Sequence, residues 1–272
     1  MKIKLSLHNG IGDVVKLFPF VHTLVKNGYD VTYQTCCPNH QLINYFFKGK
    51  ISIEHWHDRW YHVIDERFDK VINLNHLYQF NDICEWYNFT EHLKMGIYPV
   101  IGYMFRVNGI EREHFWPEDL SPSYMNDNPK EETDHIYVFT KSTAGNRTLP
   151  FKVVNKLKEC YSDIQRVKID PEFEHKGLLA LAINNAKFVV TVDSGPLHIA
   201  EACRTPYHAL MTINGYDKFL KFYKYGEYTY PNLPCAPCNW HFNTCKEFGD
   251  KNYKCQDWFS FDFIKNIIDS KL

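Results

Sequence analysis

Residues 188–206 read FVVTVDSGPLHIAEACRTP: an apolar strand pattern runs through a short Asp-Ser-Gly-Pro turn into a helical pattern that opens with Gly195 and includes His198. A strand feeding directly into a helix is the building unit of parallel α/β folds. Free backbone N–H groups at the helix start, together with the positive end of its dipole, favour an anion, phosphate above all. Pro196 suits the first helical position, where no N–H is needed, and Gly195 lets a ligand approach the backbone closely. The same residues also suit a plain connection capped by Asp193 or Ser194. Locally, a phosphate cradle and an ordinary cap both remain open.

Outward from this stretch, β-rich runs alternate with helical patterns. The pattern predicts strands near 2–7, 30–35, 69–74, 135–140, 164–169, 188–192 and 207–213, and helices near 14–27, 40–47, 82–96, 151–161, 175–185 and 196–204. This rhythm argues for parallel sheets covered on both faces, with ligands beyond the carboxyl ends of the strands. Residues 117–134, PEDLSPSYMNDNPKEETD, hold three prolines and little apolar periodicity. The expected organisation is an N-terminal domain at 1–120, a linker at 121–134, a second domain at 135–257 and a terminal helix at 258–272, where Phe259, Phe263, Ile264, Ile267 and Ile268 recur at helical spacing.

The chain has 272 residues, 44% of them hydrophobic, enough for one large or two ordinary domains. No run approaches the roughly 18 to 20 apolar residues of a membrane span. MKIKLSL turns polar at His8, Asn9 and Gly10 too early for a signal peptide, so the expectation is a cytoplasmic protein, in the host cytoplasm if viral. A net charge of −1 supplies no global field for nucleic acid or anionic membrane. The run HWHDRWYH, residues 55–62, mixes aromatic, His and Arg groups that suit a sugar-stacking or nucleic-acid-contacting surface, or a partly buried aromatic edge.

Nine cysteines in such a protein read as thiols or metal ligands rather than disulfides. Cys36, Cys37, Cys84, Cys160 and Cys203 are scattered and read as small buried thiols. Cys235, Cys238, Cys245 and Cys255 fall close together in a turn-rich stretch, where four soft ligands suit a tetrahedral zinc or iron. Four thiolates leave no open position, so such a metal would be structural; unpaired thiols are the competing reading.

The first strand ends in His8-Asn9-Gly10-Ile11-Gly12-Asp13, and the following segment puts Val14, Leu17, Phe18, Val21, Leu24 and Val25 on one face. Without a third glycine, G-x-G-D is not the dinucleotide fingerprint, which disfavours a nicotinamide dehydrogenase. Asp13 reads either as a helix cap or as a general base beside a phosphate-activated centre. Pro19 suggests a late helix start or a kink.

GIGDVVKLFPFVHTLVKNGYDVTY, then FVVTVDSGPLHIAEACRTPYHAL and PCAPC, resembles glycosyltransferase family nine, the ADP-heptose:lipopolysaccharide heptosyltransferase family. The resemblance spans most of the chain but is specific in these motifs. It implies a GT-B architecture, two Rossmann-like domains with parallel sheets facing a central cleft. It further implies an inverting transferase without a catalytic metal, taking a nucleotide-diphosphate sugar, ADP- or UDP-linked. By the same resemblance Asp13 matches the catalytic base, with Gly10, Ile11 and Gly12 forming the acceptor-side loop. Asp193, Ser194, Gly195, Pro196 and His198 match the donor-binding motif, and Arg147 is similar to a phosphate-pairing basic residue, with Lys141 as its substitute and Ser142 and Thr143 beside it. Set against that resemblance, the chain is shorter than typical members, with the shortfall in the acceptor half. Three functions therefore stay open: transfer to a bacterial surface saccharide of lipopolysaccharide type, viral-type transfer to a hydroxymethylated base in DNA, and non-catalytic nucleotide-sugar binding. A sugar-nucleotide epimerase is a further class on the same architecture.

Overall fold

Two parallel sheets with interleaved helices form the chain, as its alternating pattern predicts. The computed structural model describes residues 1–7, 10–55, 65–74, 98–143, 145–212, 220–236 and 254–272. It divides into one unit of Met1–Asp127, His175–Leu178 and Asp217–Phe222, and a second of Asn128–Glu174, Leu179–Tyr216 and Tyr223–Leu272.

The first unit contains β1 (Lys2–Ser6), α1 (Ile11–Lys26), β2 (Asp30–Thr35), α2 (His40–Phe47), β3 (Ser52–His55), β4 (Lys70–Asn73), α3 (Tyr98–Val107) and α4 (Arg112–Phe115). Its strands run in the order β3-β2-β1-β4, every pair parallel. Alternation along β1 buries Ile3 and Leu5, whereas Lys4 and Ser6 take the opposite face. That second face is polar: Lys4 Nζ meets Asp65 at 2.9 Å and Glu54 at 3.2 Å, and Ser6 Oγ donates to Gln34 at 2.8 Å. The Arg67 and Lys4 hydrogen bonds hold the Asp65 carboxyl well below the usual carboxylate range. Lys4, Ser6 and Thr32 are themselves buried, so this face too is covered, by polar rather than apolar groups.

Helix α1 begins at Ile11, earlier than the residue 14 start the pattern suggests, and carries Pro19 in its interior. Its buried stripe of Val14, Leu17, Phe18, Val21 and Leu24 outweighs the lost helical hydrogen bond. Phe18 packs with Phe46 and Phe47 of α2, each ring centroid 5.2 Å away.

The second unit contains β5 (Ile136–Phe139), α5 (Phe151–Cys160), β6 (Val167–Ile169), α6 (Lys176–Asn185, which begins in the first unit), β7 (Phe188–Val192), α7 (Gly195–Ala202), β8 (Tyr207–Leu210), β9 (Gly226–Thr229), α8 (Lys254–Asp257) and α9 (Phe261–Asp269). The order is β6-β5-β7-β8-β9, again all parallel. β7 is buried along its whole length, which explains its unbroken apolar reading. Phe188, Val190 and Val192 join Ile136, Val138, Leu157, Ile264 and Ile268 in one core. Helix α9 thus docks through its apolar stripe, capped by Ser260, whose Oγ accepts from Phe263 N at 3.2 Å.

Several boundaries differ from the expectation. β6 begins at Val167 rather than 164, and β8 ends at Leu210 rather than 213. The edge strands β3 and β9, SIEH and GEYT, were not predicted, because short polar edges carry no apolar alternation. The helix expected at 82–96 lies outside the described residues. Within the stretch read as a linker, Ser121 caps a 3₁₀ turn at Pro122–Met125, and Ser121, Ser123 and Asn126 are buried. Thr133 N donates to Asn185 O at 2.8 Å and Asn184 Nδ2 to Pro129 O at 2.8 Å, so this segment is tied down by local Ser, Thr and Asn bonding.

Candidate functional site

In the second unit, polar groups collect beyond the carboxyl ends of β5, β6 and β7, where ligands of parallel sheets bind. Thr140, directly after β5, donates through N and Oγ1 to Asp170 at 2.7 and 2.6 Å. Asp170 holds φ of 46°, a left-handed conformation that these bonds support. Ser142 Oγ donates to the Asp193 carbonyl at 3.3 Å, and Ser142 N donates to Thr148 Oγ1 at 3.0 Å. The loop after β5 is thereby fastened to the turn after β7.

Arg147 closes a 3₁₀ turn at Gly145–Arg147 and places Nη1 3.4 Å from Asp193 Oδ2. The Asp193 side chain is 4% exposed and that of Arg147 21%, so of the pair only the arginine side chain reaches solvent appreciably. Arg147 Nε is buried without a hydrogen-bond partner. Lys141 and Thr143 are exposed and Ser142 is half-buried, so Arg147, not its substitute Lys141, pairs with the motif acid.

Helix α7 is buried from Leu197 to Ala202, while Ser194, Gly195 and Pro196 are half-buried. Only its first turn is open, with a cation beside it. The capping expectation for Ser194 fails: its side chain makes no cap, and its Oγ turns back to the Val192 carbonyl at 3.3 Å. Pro196 has no N–H and Leu197 N donates to the Ser194 carbonyl at 3.1 Å; with no side chain capping it, the start of α7 is a position suited to an anion.

His198, one turn into the helix, is buried, with Nδ1 2.5 Å from Tyr223 Oη. Glu201 follows on the same face, wholly buried, accepting from Lys224 N at 2.9 Å, Tyr225 N at 3.1 Å and Tyr207 Oη at 3.2 Å. Sequence reasoning missed Glu201, although an acid in an otherwise apolar helix was a visible signal. Tyr207 in turn packs over Gly226, where an added Cβ would fall inside the ring.

In the first unit, Gly10 is the N-cap of α1, in an extended conformation, and its carbonyl accepts from Asp13 N at 3.1 Å and Val14 N at 3.3 Å. Ile11, Gly12 and Asp13 are half-buried in the first turn. Asp13 is therefore not the cap that one reading allowed; its carboxylate sits inside the turn, near the positive end of the dipole.

Of the four clustered cysteines, Cys235 and Cys255 are half-buried, Cys255 within α8, while Cys238 and Cys245 lie outside the described residues. The scattered cysteines do not all follow the buried-thiol expectation: Cys203 is buried, with its thiol pKa pushed up by desolvation, but Cys36 is half-buried and Cys160 exposed. Among the described residues, Glu111, Glu113 and His114 bring ligand atoms within 4.8 Å of one another at the surface, with His114 Nδ1 2.7 Å from Tyr29 Oη. Within 55–62, only His55 is described. No helix among the described residues is long and apolar enough to cross a membrane.

Residues 151–222 match the sequence profile of glycosyltransferase family 9 (heptosyltransferase). No curated protein sequence matches the chain. Among solved structures it is similar to E. coli heptosyltransferase WaaC with ADP, at 11% identity and TM-score 0.57, each chain covered over 100%. It is similar to E. coli ADP-heptose lps heptosyltransferase II, at 11% identity and TM-score 0.64, covering 100% of this chain and 98% of that one. It is also similar to TibC, an iron-containing dodecameric glycosyltransferase from enterotoxigenic E. coli H10407, at 13% identity and TM-score 0.64, covering 99% of this chain and 75% of that one. The fold is that of GT-B heptosyltransferases.

Proposed function

We propose that this heptosyltransferase-like glycosyltransferase of family 9 transfers a sugar from an ADP-sugar to a hydroxyl of a saccharide, with inversion and without a catalytic metal. The observation that carries this reading is the open first turn of α7 beside the Arg147 guanidinium, in and next to the region matching the family. The positive end of the α7 dipole, the Gly195 N–H and Arg147 meet the diphosphate, and preorganised positive charge takes up the negative charge of the leaving group. That supplies the stabilisation a metal would otherwise provide.

Asp13 acts as the general base. It accepts the proton of the acceptor hydroxyl; the acceptor oxygen bonds to the anomeric carbon as the bond from that carbon to the diphosphate breaks. Support for ADP comes from the ADP held by WaaC, and support for a lipopolysaccharide-type acceptor from heptosyltransferase II. Neither the modified-DNA acceptor nor the non-catalytic binder has an observation in its favour.

The test is transfer from ADP- and UDP-sugars to truncated lipopolysaccharide saccharides, followed by NMR of the product anomer. Asp13→Asn should lower turnover by at least roughly a hundredfold with donor affinity nearly intact. A variant that turns over at the wild-type rate would remove Asp13 from the mechanism, and a retained anomeric configuration would remove inversion.

A further inference from the structure

His198 and Glu201 stand one turn apart on α7, and a single short segment, residues 223–225, bonds to them both. Tyr223 Oη lies 2.5 Å from His198 Nδ1, with the two rings edge to face at 5.7 Å and 89°. The next two backbone N–H groups, of Lys224 and Tyr225, donate to the Glu201 carboxylate at 2.9 and 3.1 Å, and Tyr207 Oη adds a third bond. His198, Glu201, Tyr207 and Tyr223 are all buried. A carboxylate is costly to bury unless several donors meet it, so Glu201 works as a fixed anchor for the chain directly after Tyr223. With that chain pinned, the phenol is held against the imidazole.

The hydrogen bond between them has a direction. A phenol O–H is a stronger acid than a neutral imidazole N–H, and an imidazole nitrogen is the better acceptor, so Tyr223 donates and Nδ1 accepts. In a neutral imidazole the bond made by one nitrogen decides where the hydrogen sits, and here it sits on Nε2. Helical side chains lean toward the N-terminus, so the ring of His198, the fourth residue of α7, reaches back over the turn that begins at Gly195. That turn follows Asp193, against which Arg147 is paired.

We propose that Tyr223 is a positioning residue for His198: it fixes the tautomer with hydrogen on Nε2 and makes the imidazole a neutral donor to the diphosphate. His198 keeps its proton throughout. The electron pair of the broken bond leaves with the diphosphate, and the bond from Nε2–H strengthens as negative charge gathers there. Glu201 acts one step further back, by holding Tyr223. This inference rests on the start of α7 being the donor site.

NMR of protein carrying isotope-labelled histidine and arginine tests it, with ADP as the probe and His198→Asn identifying the signal. The ring nitrogens should report hydrogen on Nε2, ADP should shift that nitrogen more than Nδ1, and Tyr223→Phe should leave a mixture of tautomers. In turnover of ADP-heptose with a truncated lipopolysaccharide saccharide, Tyr223→Phe should lower kcat about tenfold and change the donor KM by less than about twofold. In the His198→Asn background the same substitution should cost nothing. Hydrogen on Nδ1 in the wild type overturns the proposal, as does an unchanged kcat, or an equal loss in both backgrounds, which a merely structural role would also give. If ADP shifts the Arg147 side chain but neither nitrogen of His198, this inference fails and the donor site stands; if it shifts neither residue, both fail.

Discussion

Arg147 shows what a single residue reveals in its sequence and what it does not. The resemblance drew attention to it as a basic residue near the start of the second half, with Lys141 as the substitute. Only the structure pairs it with Asp193, 46 residues away in sequence, through a contact of 3.4 Å. Because that carboxylate is buried, the pair also stabilises the turn, and removing the guanidinium strands a charge. Arg147→Ala should lower kcat/KM for the sugar nucleotide by roughly tenfold to a hundredfold, and Arg147→Lys should recover part of it, since a lysine cannot reproduce the planar fork. Calorimetric titration with ADP checks this. If ADP binds the alanine variant as tightly as wild type while the melting midpoint falls, the role of Arg147 is structural alone. Glu201 was legible as an anomaly but not as a tie. Its partners, Lys224 N, Tyr225 N and Tyr207 Oη, come from backbone and side-chain positions that only folding assembles.

At the scale of elements, long periodic segments were the legible ones. The buried strand β7 and the helices α2 and α5 appear where their patterns place them, within a residue. Of the edge strands, β4 and β6 were legible but β3 and β9 were not, for a physical reason: an edge makes few side-chain contacts, so its residues, SIEH and GEYT here, need not be apolar. The cysteine-rich tail belongs at this scale too. The expectation that Cys235, Cys238, Cys245 and Cys255 hold one structural iron or zinc rests on their thiolate chemistry and spacing. Protein purified without chelator should carry about one iron or zinc per chain by mass spectrometry, and Cys235→Ser should lose it and unfold at a lower temperature. Metal-free protein with an unchanged midpoint in the serine variant would leave the cysteines as plain thiols.

For the whole molecule, the charge is close to balanced, and among the described residues a few groups have pKa values moved by burial or hydrogen bonding. His22 is held below its ordinary pKa by burial and then by Lys50, and His208 by burial, against the opposing pull of Glu227. Both are neutral in the fold and bind a proton more readily when unfolded. Their contribution is therefore fully present above about pH 6.5 and is lost as pH falls through the depressed folded values. Asp65 and Asp269, held low chiefly by hydrogen bonds from Arg67 and Lys265, add a further loss only below about pH 4. The thermal midpoint should drop between pH 7 and pH 5, and His22→Gln with His208→Gln should flatten that drop; a wild-type midpoint constant over this range contradicts the assignment. By itself the sequence determined the parallel α/β class, the two glycine-bearing strand-to-helix turns and the acids beside them, because periodicity and turn chemistry are local. Tertiary structure alone decided that Arg147 meets Asp193, that Glu201 anchors residues 224 and 225, and that one sheet face is polar. Each of those depends on which distant residues share a buried volume, and burial, not composition, sets how strongly charges and hydroxyls there interact.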